Sequence, residues 1–284
     1  MSSSTTVAEE KQGSSGQQVY TTCDHDTQLP IGTEIYQPGD YHKEFDPYKY
    51  LDHFYSQKAL RRGMKLALFA IPQFIAMLPK DPSSCRLLDV GSGPTIYVAL
   101  CFREYATDIY LSDYTSLSRC ELQKWLDGCS TFDWLPIVKS VALVEGVAGT
   151  RPPDLVAMEQ LAKSKTRKIW FCDVHMPGLV ATDEGTRESF DIITSIFCLE
   201  SASRDIDQYK TAMCNIVDLL KPGGRLIIGS VLEDTIYEFG TDIFYLLYLT
   251  KQDICDAMRQ AGLNVDAVRT YEHDGAFMIM AQKL

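Results

Sequence analysis

Three acids stand where short apolar runs stop: Asp89 after Arg86-Leu87-Leu88, Asp113 after Ile109-Tyr110-Leu111-Ser112, and Asp173 after Ile169-Trp170-Phe171-Cys172. The first opens a glycine-rich turn, Asp89-Val90-Gly91-Ser92-Gly93-Pro94-Thr95-Ile96-Tyr97. An acid at the end of the next strand, about 20 residues further on, can accept the hydroxyls of a ribose, while glycines let the backbone come close to a ligand. Such spacing points to a nucleoside-bearing cofactor held across the carboxyl ends of two neighbouring strands. Pro94-Thr95 stands where a dinucleotide fingerprint would run on to its third glycine. No tight pyrophosphate turn is specified, so the pattern fits a nucleoside with a zwitterionic amino-acid tail, S-adenosylmethionine.

These residues need a sheet to position them. From Arg86 onward the chain alternates strand and helix, as in a doubly wound α/β fold. Strands are expected at Arg86–Val90, Asp108–Ser112, Lys168–Cys172, Phe190–Cys198 and Arg225–Val231, and helices at Ile96–Tyr105, Ser116–Leu126, Asp154–Ser164, Asp205–Leu220 and Lys251–Ala261. Lys221-Pro222-Gly223-Gly224 should end the helix before the fifth strand. Two closing extended segments, Asn264–Tyr271 and Ala276–Gln282, flank the turn Glu272-His273-Asp274-Gly275. That hairpin would add one antiparallel strand to an otherwise parallel, Rossmann-like sheet, as class I methyltransferases have and most dehydrogenases lack. Residues 1–35 are rich in Ser, Thr, Gly and Gln and are expected to be disordered. Residues 36–284 are expected to form one domain, with a lid and N-terminal helices over 36–80 and the sheet core over 86–284. The apolar run Met64–Leu78 is too short to span a bilayer and carries Lys65, Pro72 and Gln73, so it reads as a helix buried on the sheet.

Composition narrows the partners. Of 284 residues 45% are hydrophobic, enough for an ordinary globular core, and the formal net charge of −11 disfavours nucleic acid. Nine cysteines without a CxxC pair read as reduced thiols of a cytoplasmic protein, and the five histidines lack ligand spacing, so no metal is expected. Neither a membrane nor a nucleic-acid partner is implied. The chain is expected to act as a monomer on a small molecule.

Several strings together resemble the amine N-methyltransferases that include the nicotinamide, phenylethanolamine and indolethylamine enzymes. They are Phe45-Asp46-Pro47 with Tyr50-Leu51, the run Asp89 to Tyr97, Lys124-Trp125-Leu126, Phe132-Asp133-Trp134, Cys172-Asp173-Val174, Leu219 to Gly224 and Ala281-Gln282-Lys283. The likeness runs from about Phe45 to the end. It implies that Tyr50 and Tyr55 belong to a lid, and that Gly91, Ser92 and Tyr97 hold the methionine end of the cofactor. It puts Asp113 on the ribose with Tyr114 and Ser118 nearby, Asp173 and Val174 on the adenine, and Ile196 in the pocket wall. Ser118 stands where the family commonly has Asn.

The resemblance also places Ser230, Glu233 and Asp234 on the acceptor side, with Tyr50. Glu233 and Asp234 resemble the paired acids that hold an amine, while Ser230 stands where the nicotinamide enzyme has an Asp. Methyl transfer from a sulfonium is an in-line displacement that needs alignment, exclusion of water and a free lone pair. A primary amine is protonated at neutral pH, so a carboxylate must bind it and accept its proton; a pyridine nitrogen needs no base. A small aromatic or alkyl amine is therefore the expected acceptor, with Glu233 and Asp234 as catalytic residues, and nicotinamide or another pyridine is the alternative. An NAD-dependent oxidoreductase and a catalytically silent relative are the competing classes.

Overall fold

The computed structural model describes residues 33–56, 62–80, 83–146, 151–180 and 187–284, plus a two-stranded pairing of Lys11–Gln12 with Gln18–Val19. The expected disordered tail thus falls almost wholly outside the described residues. The helices are α1 (Pro47–Tyr55), α2 (Arg62–Ile75), α3 (Tyr97–Phe102), α4 (Ser116–Leu126), α5 (Leu135–Val144), α6 (Pro152–Lys165), α7 (Ile206–Leu219) and α8 (Lys251–Gln260). The strands are β1 (Arg86–Val90), β2 (Asp108–Asp113), β3 (Thr166–Phe171), β4 (Phe190–Ile196), β5 (Leu220–Val231), β6 (Ile236–Phe239), β7 (Asp242–Tyr245), β8 (Leu263–His273) and β9 (Ala276–Lys283).

Seven strands form one sheet in the order β8-β9-β5-β4-β1-β2-β3, and β6 pairs only with β7. The pairings β1/β2, β2/β3, β1/β4 and β4/β5 are parallel, while β9 runs antiparallel between β5 and β8. The mixed α/β sheet with one antiparallel strand from a C-terminal hairpin is therefore present as expected. Strand order reverses between β1 and β4, the position at which such sheets open a crevice beyond their carboxyl ends.

Both faces of the sheet are covered at its centre, so β1, β2 and β4 are buried along nearly their whole length and do not alternate. In β1, neighbouring Leu87 and Leu88 are fully buried in two different cores. Leu87 joins the layer of α2, α3, α5 and α6; Leu88 joins that of α7 and α8. Helix α2, the apolar run noted above, packs on β8 and β9 as well as on α3 and α5.

Several expected boundaries move. Helix α3 stops at Phe102 and not Tyr105, because the next residues turn back, Tyr105 N–H donating to Phe102 O at 3.0 Å. Strand β4 ends at Ile196, and a single helical turn, Leu199–Ala202, follows it. The Lys221–Gly224 segment does not precede β5 but lies within it. The register jumps from Phe190↔Leu220 to Ile192↔Arg225, so these residues bulge out of the ladder. Helix α5 and the β6–β7 hairpin are elements without a counterpart in the sequence expectations.

Candidate active site

The glycine turn after β1 is built by close approach. Gly91 has φ +70°, and a Cβ there would lie 2.1 Å from Cys198 Sγ, so only glycine fits. Ser92 N–H donates to Ser112 O at 2.9 Å, and Thr95 Oγ1 to Ser92 O at 2.7 Å, which fixes the turn against β2. Asp113 closes β2. Its Oδ2 accepts from Gly93 N–H at 2.8 Å; its Oδ1 accepts from Thr115 N–H at 2.8 Å and Thr115 Oγ1 at 2.9 Å. Burial raises the Asp113 pKa above its ordinary value, opposed by those three hydrogen bonds. One acceptor position remains open on Oδ2, on a side chain that faces a cavity.

That cavity, about 280 Å³, lies beyond the carboxyl ends of β1, β2, β3 and β4. The turn contributes Gly91, Ser92 and Tyr97; Asp113 ends β2 and Tyr114 and Ser118 follow it; Asp173 and Val174 follow β3; Ile196 ends β4; and Tyr50 and Tyr55 descend from α1. The expected cofactor residues are thus brought together in one place. Other residues hold them. Arg119 donates to the carbonyls of Asp113 and Tyr114 at 2.8 and 2.7 Å and stacks over Phe171. Asn215 Nδ2 donates to Val174 O at 2.9 Å, and Asp173 Oδ1 accepts from His175 N–H at 3.0 Å.

Helix α1 begins at Asp46, whose Oδ1 accepts from Tyr48 N–H and Lys49 N–H, with Pro47 as the first helical residue. The Tyr50 and Tyr55 rings lie 6.0 Å apart, and the Tyr55 ring stacks 6.0 Å from that of Tyr97. Burial raises the pKa of all three phenols, so they remain neutral. Phe45 and Tyr50 pack on Phe239 of the β6–β7 hairpin, and Lys49 Nζ meets Asp242 Oδ2 at 2.9 Å. Tyr41 and Tyr237 share a hydroxyl–hydroxyl hydrogen bond of 2.7 Å across the same seam.

A second cavity of about 150 Å³ adjoins the first, sharing Tyr50, Phe197, Ser201 and Tyr237 as common walls. Phe54, Gly63, Met64, Val231 and Leu246 complete it with one acid, Glu200. Among the described lining residues there is no Lys or Arg. Glu200 is 1% exposed, and its Oε1 accepts from Val231 N–H at 2.9 Å. Burial pushes its carboxyl up to about 7, against the opposing pull of the hydrogen bond from Val231 N–H.

The residues expected on the acceptor side are dispersed. Ser230 is fully buried, its hydroxyl donating to Val231 O at 3.2 Å, and lines neither cavity. Glu233 and Asp234 are exposed and line neither. Asp234 Oδ1 is turned onto its own chain at Thr235 N–H, and Glu233 has φ +57°. Sequence reasoning passed over Glu200, although it follows β4 as Asp113 and Asp173 end β2 and follow β3. Phe197, Ser201 and Tyr237 were passed over as well. The available signal was the rule that ligand-binding residues gather at strand carboxyl ends.

Comparison with known proteins agrees with this architecture. Residues 33–284 match the NNMT/PNMT/TEMT family. A nicotinamide N-methyltransferase of Caenorhabditis elegans is 30% identical over 254 residues, spanning 86% of this chain and 91% of that protein. A phenylethanolamine N-methyltransferase of Sus scrofa is 31% identical over 192 residues, 67% of this chain and 66% of that one. In fold, the chain is similar to magnesium protoporphyrin IX methyltransferase from Synechocystis with bound SAM. That match has a TM-score of 0.55 and 11% identity, over 86% of this chain and 94% of the other. By that match over residues 33–284 and by those relatives, the chain belongs to the NNMT/PNMT/TEMT family.

Proposed function

We propose that this chain moves a methyl group from S-adenosylmethionine to the nitrogen of a small aromatic amine, with Glu200 as the residue that receives the amine. Family membership makes the protein an S-adenosylmethionine-dependent small-molecule N-methyltransferase; the division of labour between residues is the proposal. The cradle fits such a cofactor, since Gly91 in its turn leaves no room for a Cβ and Asp113 keeps an acceptor position open beside the cavity. Gly91, Ser92, Tyr55 and Tyr97 would hold its amino-acid end, Asp113 the ribose, with Tyr114 and Ser118 beside it, and Asp173 and Val174 the adenine, with Ile196 as a wall. When bound, the cofactor supplies a methyl group on a positively charged sulfur, which a free lone pair can displace.

One observation carries the acceptor reading: a buried carboxylate in an otherwise aromatic and apolar chamber that shares walls with the cofactor cavity. An aromatic amine suits it on both counts. The rings of Tyr50, Phe54, Phe197 and Tyr237 take the apolar body, and Glu200 takes the ammonium and then its proton. A carboxyl that titrates near 7 is matched to that exchange. The Val231 N–H holds the carboxylate in place. Tyr50 and Tyr55 exclude water from the meeting point of the two cavities.

Glu233 and Asp234 would then act at the protein surface and not on the reacting nitrogen. Glu200→Gln should lower kcat/KM for amines by roughly 10²–10⁴-fold, the range for losing a positioned base, with labelled S-adenosylmethionine as the assay. Glu233→Gln and Asp234→Asn should leave it within about threefold. The reverse pattern would return the catalytic role to that pair. A pyridine acceptor is the second reading, because a protonated Glu200 could donate to a ring carboxamide. Undiminished methylation of nicotinamide by Glu200→Gln, together with weak methylation of amines by the wild type, would select neither an ammonium nor a base.

A further inference from the structure

Phe197 stands between the two cavities in an unusual backbone conformation. Its φ is +56°, a left-handed value that a bulky side chain rarely adopts. Two features hold it there. Its N–H donates to Gly229 O at 2.8 Å, and Gly229 is pressed against Ile196, where a Cβ would lie 2.6 Å from Ile196 Cγ2. The backbone at Phe197 therefore has little room to relax. Its ring reaches toward α2 tip first, and the surface it meets there is Gly63: a Cβ at that position would lie 3.1 Å from Cζ, 3.5 Å from Cε2 and 3.7 Å from Cε1. Both residues line the chamber that contains Glu200.

We infer that Gly63 is a specificity-determining residue, setting through Phe197 the largest ring the acceptor chamber admits. This rests on the assignment of that chamber to the acceptor. Gly63 lies within α2 with no need of a left-handed backbone, so local geometry does not demand glycine. The demand is spatial. A side chain at 63 must either enter the chamber or push the ring tip of Phe197, whose pinned backbone leaves ring rotation toward the cavity as the response. Either way the space beside Glu200 shrinks and the carboxylate stays where it is.

The test uses the full chain with ring-substituted phenethylamines of increasing bulk, assayed with labelled S-adenosylmethionine. Alanine favours a helix over glycine, so Gly63→Ala does not threaten the fold. Its cofactor Kd, by calorimetry, should stay within about twofold. The kcat/KM for the bulkiest amine should fall at least ~10-fold more than that for the smallest, the scale of discrimination produced by one methylene in an apolar pocket. Adding Phe197→Leu to Gly63→Ala should restore much of the lost ratio, a non-additivity expected only of residues in contact. An unchanged size preference in Gly63→Ala, while Glu200→Gln still abolishes amine methylation, would overturn the gauge and leave the acceptor chamber standing. If neither variant alters amine methylation, the chamber assignment falls and the gauge with it.

Discussion

Asp113 has two tasks on one side chain. Three of its hydrogen bonds are internal and tie the glycine turn to the start of α4; the remaining position on Oδ2 is the one proposed above for a ribose hydroxyl. A substitution there should therefore affect both folding and binding, and the two effects can be separated. Asp113→Asn keeps the shape but turns an amide nitrogen toward either Gly93 N–H or Thr115 N–H, since each carboxylate oxygen accepts from one of them. The cofactor Kd should rise roughly 10- to 100-fold, the worth of a charge-assisted hydrogen bond together with the loosened turn. Calorimetric titration with S-adenosylhomocysteine reads the affinity, and thermal melting without ligand reads the structural share. Unaltered affinity in a variant that melts lower would leave Asp113 as a turn residue only.

At the scale of elements, the roof of the site consists of two segments distant in sequence. Helix α1 brings Tyr50 and Tyr55, and the β6–β7 hairpin backs them with Phe239, which is fully buried. Phe239 stacks 5.1 Å from Phe244, meets Phe45 at 5.5 Å and Tyr50 at 5.6 Å, and forms with Phe45 and Phe244 a core separate from those of the sheet. A small cluster of this kind can open locally, as a unit separate from the sheet. Phe239→Ala removes the ring common to these contacts. Amide exchange should then accelerate together over residues 47–55 and 236–245 while the sheet strands keep their protection, and KM should rise for cofactor and acceptor alike. Faster exchange in the hairpin alone would mean that α1 is held independently and that the roof is not one unit.

For the whole molecule, the buried acids make stability fall as pH rises. Asp89, hydrogen-bonded by Thr194 Oγ1 at 2.6 Å, is pushed by burial from 3.8 to about 6, and Glu200 from 4.5 to about 7. Both carboxyls titrate higher in the folded chain than in the unfolded one, so folding takes up protons. The stability they contribute is fully present below their unfolded values, near pH 4, and is lost as pH rises through about 6 and 7. For Glu200 the difference at pH 8 is on the order of 3 kcal/mol. The net charge of −11 adds self-repulsion in the same direction. Wild-type Tm should therefore be lower at pH 8 than at pH 5.5, and Glu200→Gln should narrow that gap while it loses amine methylation. Superimposable pH profiles for the two proteins would remove Glu200 as the titrating group.

Local signals settled much of this protein. Asp89 to Tyr97 and Asp113 act within about 25 residues of each other, and the backbone needs of glycine and the apolar run before each acid are written in neighbouring positions. The parallel sheet and its closing hairpin were legible for the same reason, since each strand is short, apolar and bounded by turn residues. The strand-end residues expected to meet the cofactor share one cavity because strand order brings their carboxyl ends together, while Tyr50 and Tyr55 reach it from α1. Helix α5 was not legible: Leu135 to Val144 is rich in β-branched and apolar residues, a pattern that does not distinguish a buried helix from a strand. Nor was the acceptor chamber. Glu200 is buried beside an aromatic wall assembled from α1, Phe197 just after β4, and β6, and no spacing in the chain encodes which of Glu200, Glu233 and Asp234 is removed from water. Burial depends on what packs over a residue from elsewhere in the chain, and only the tertiary structure decides that.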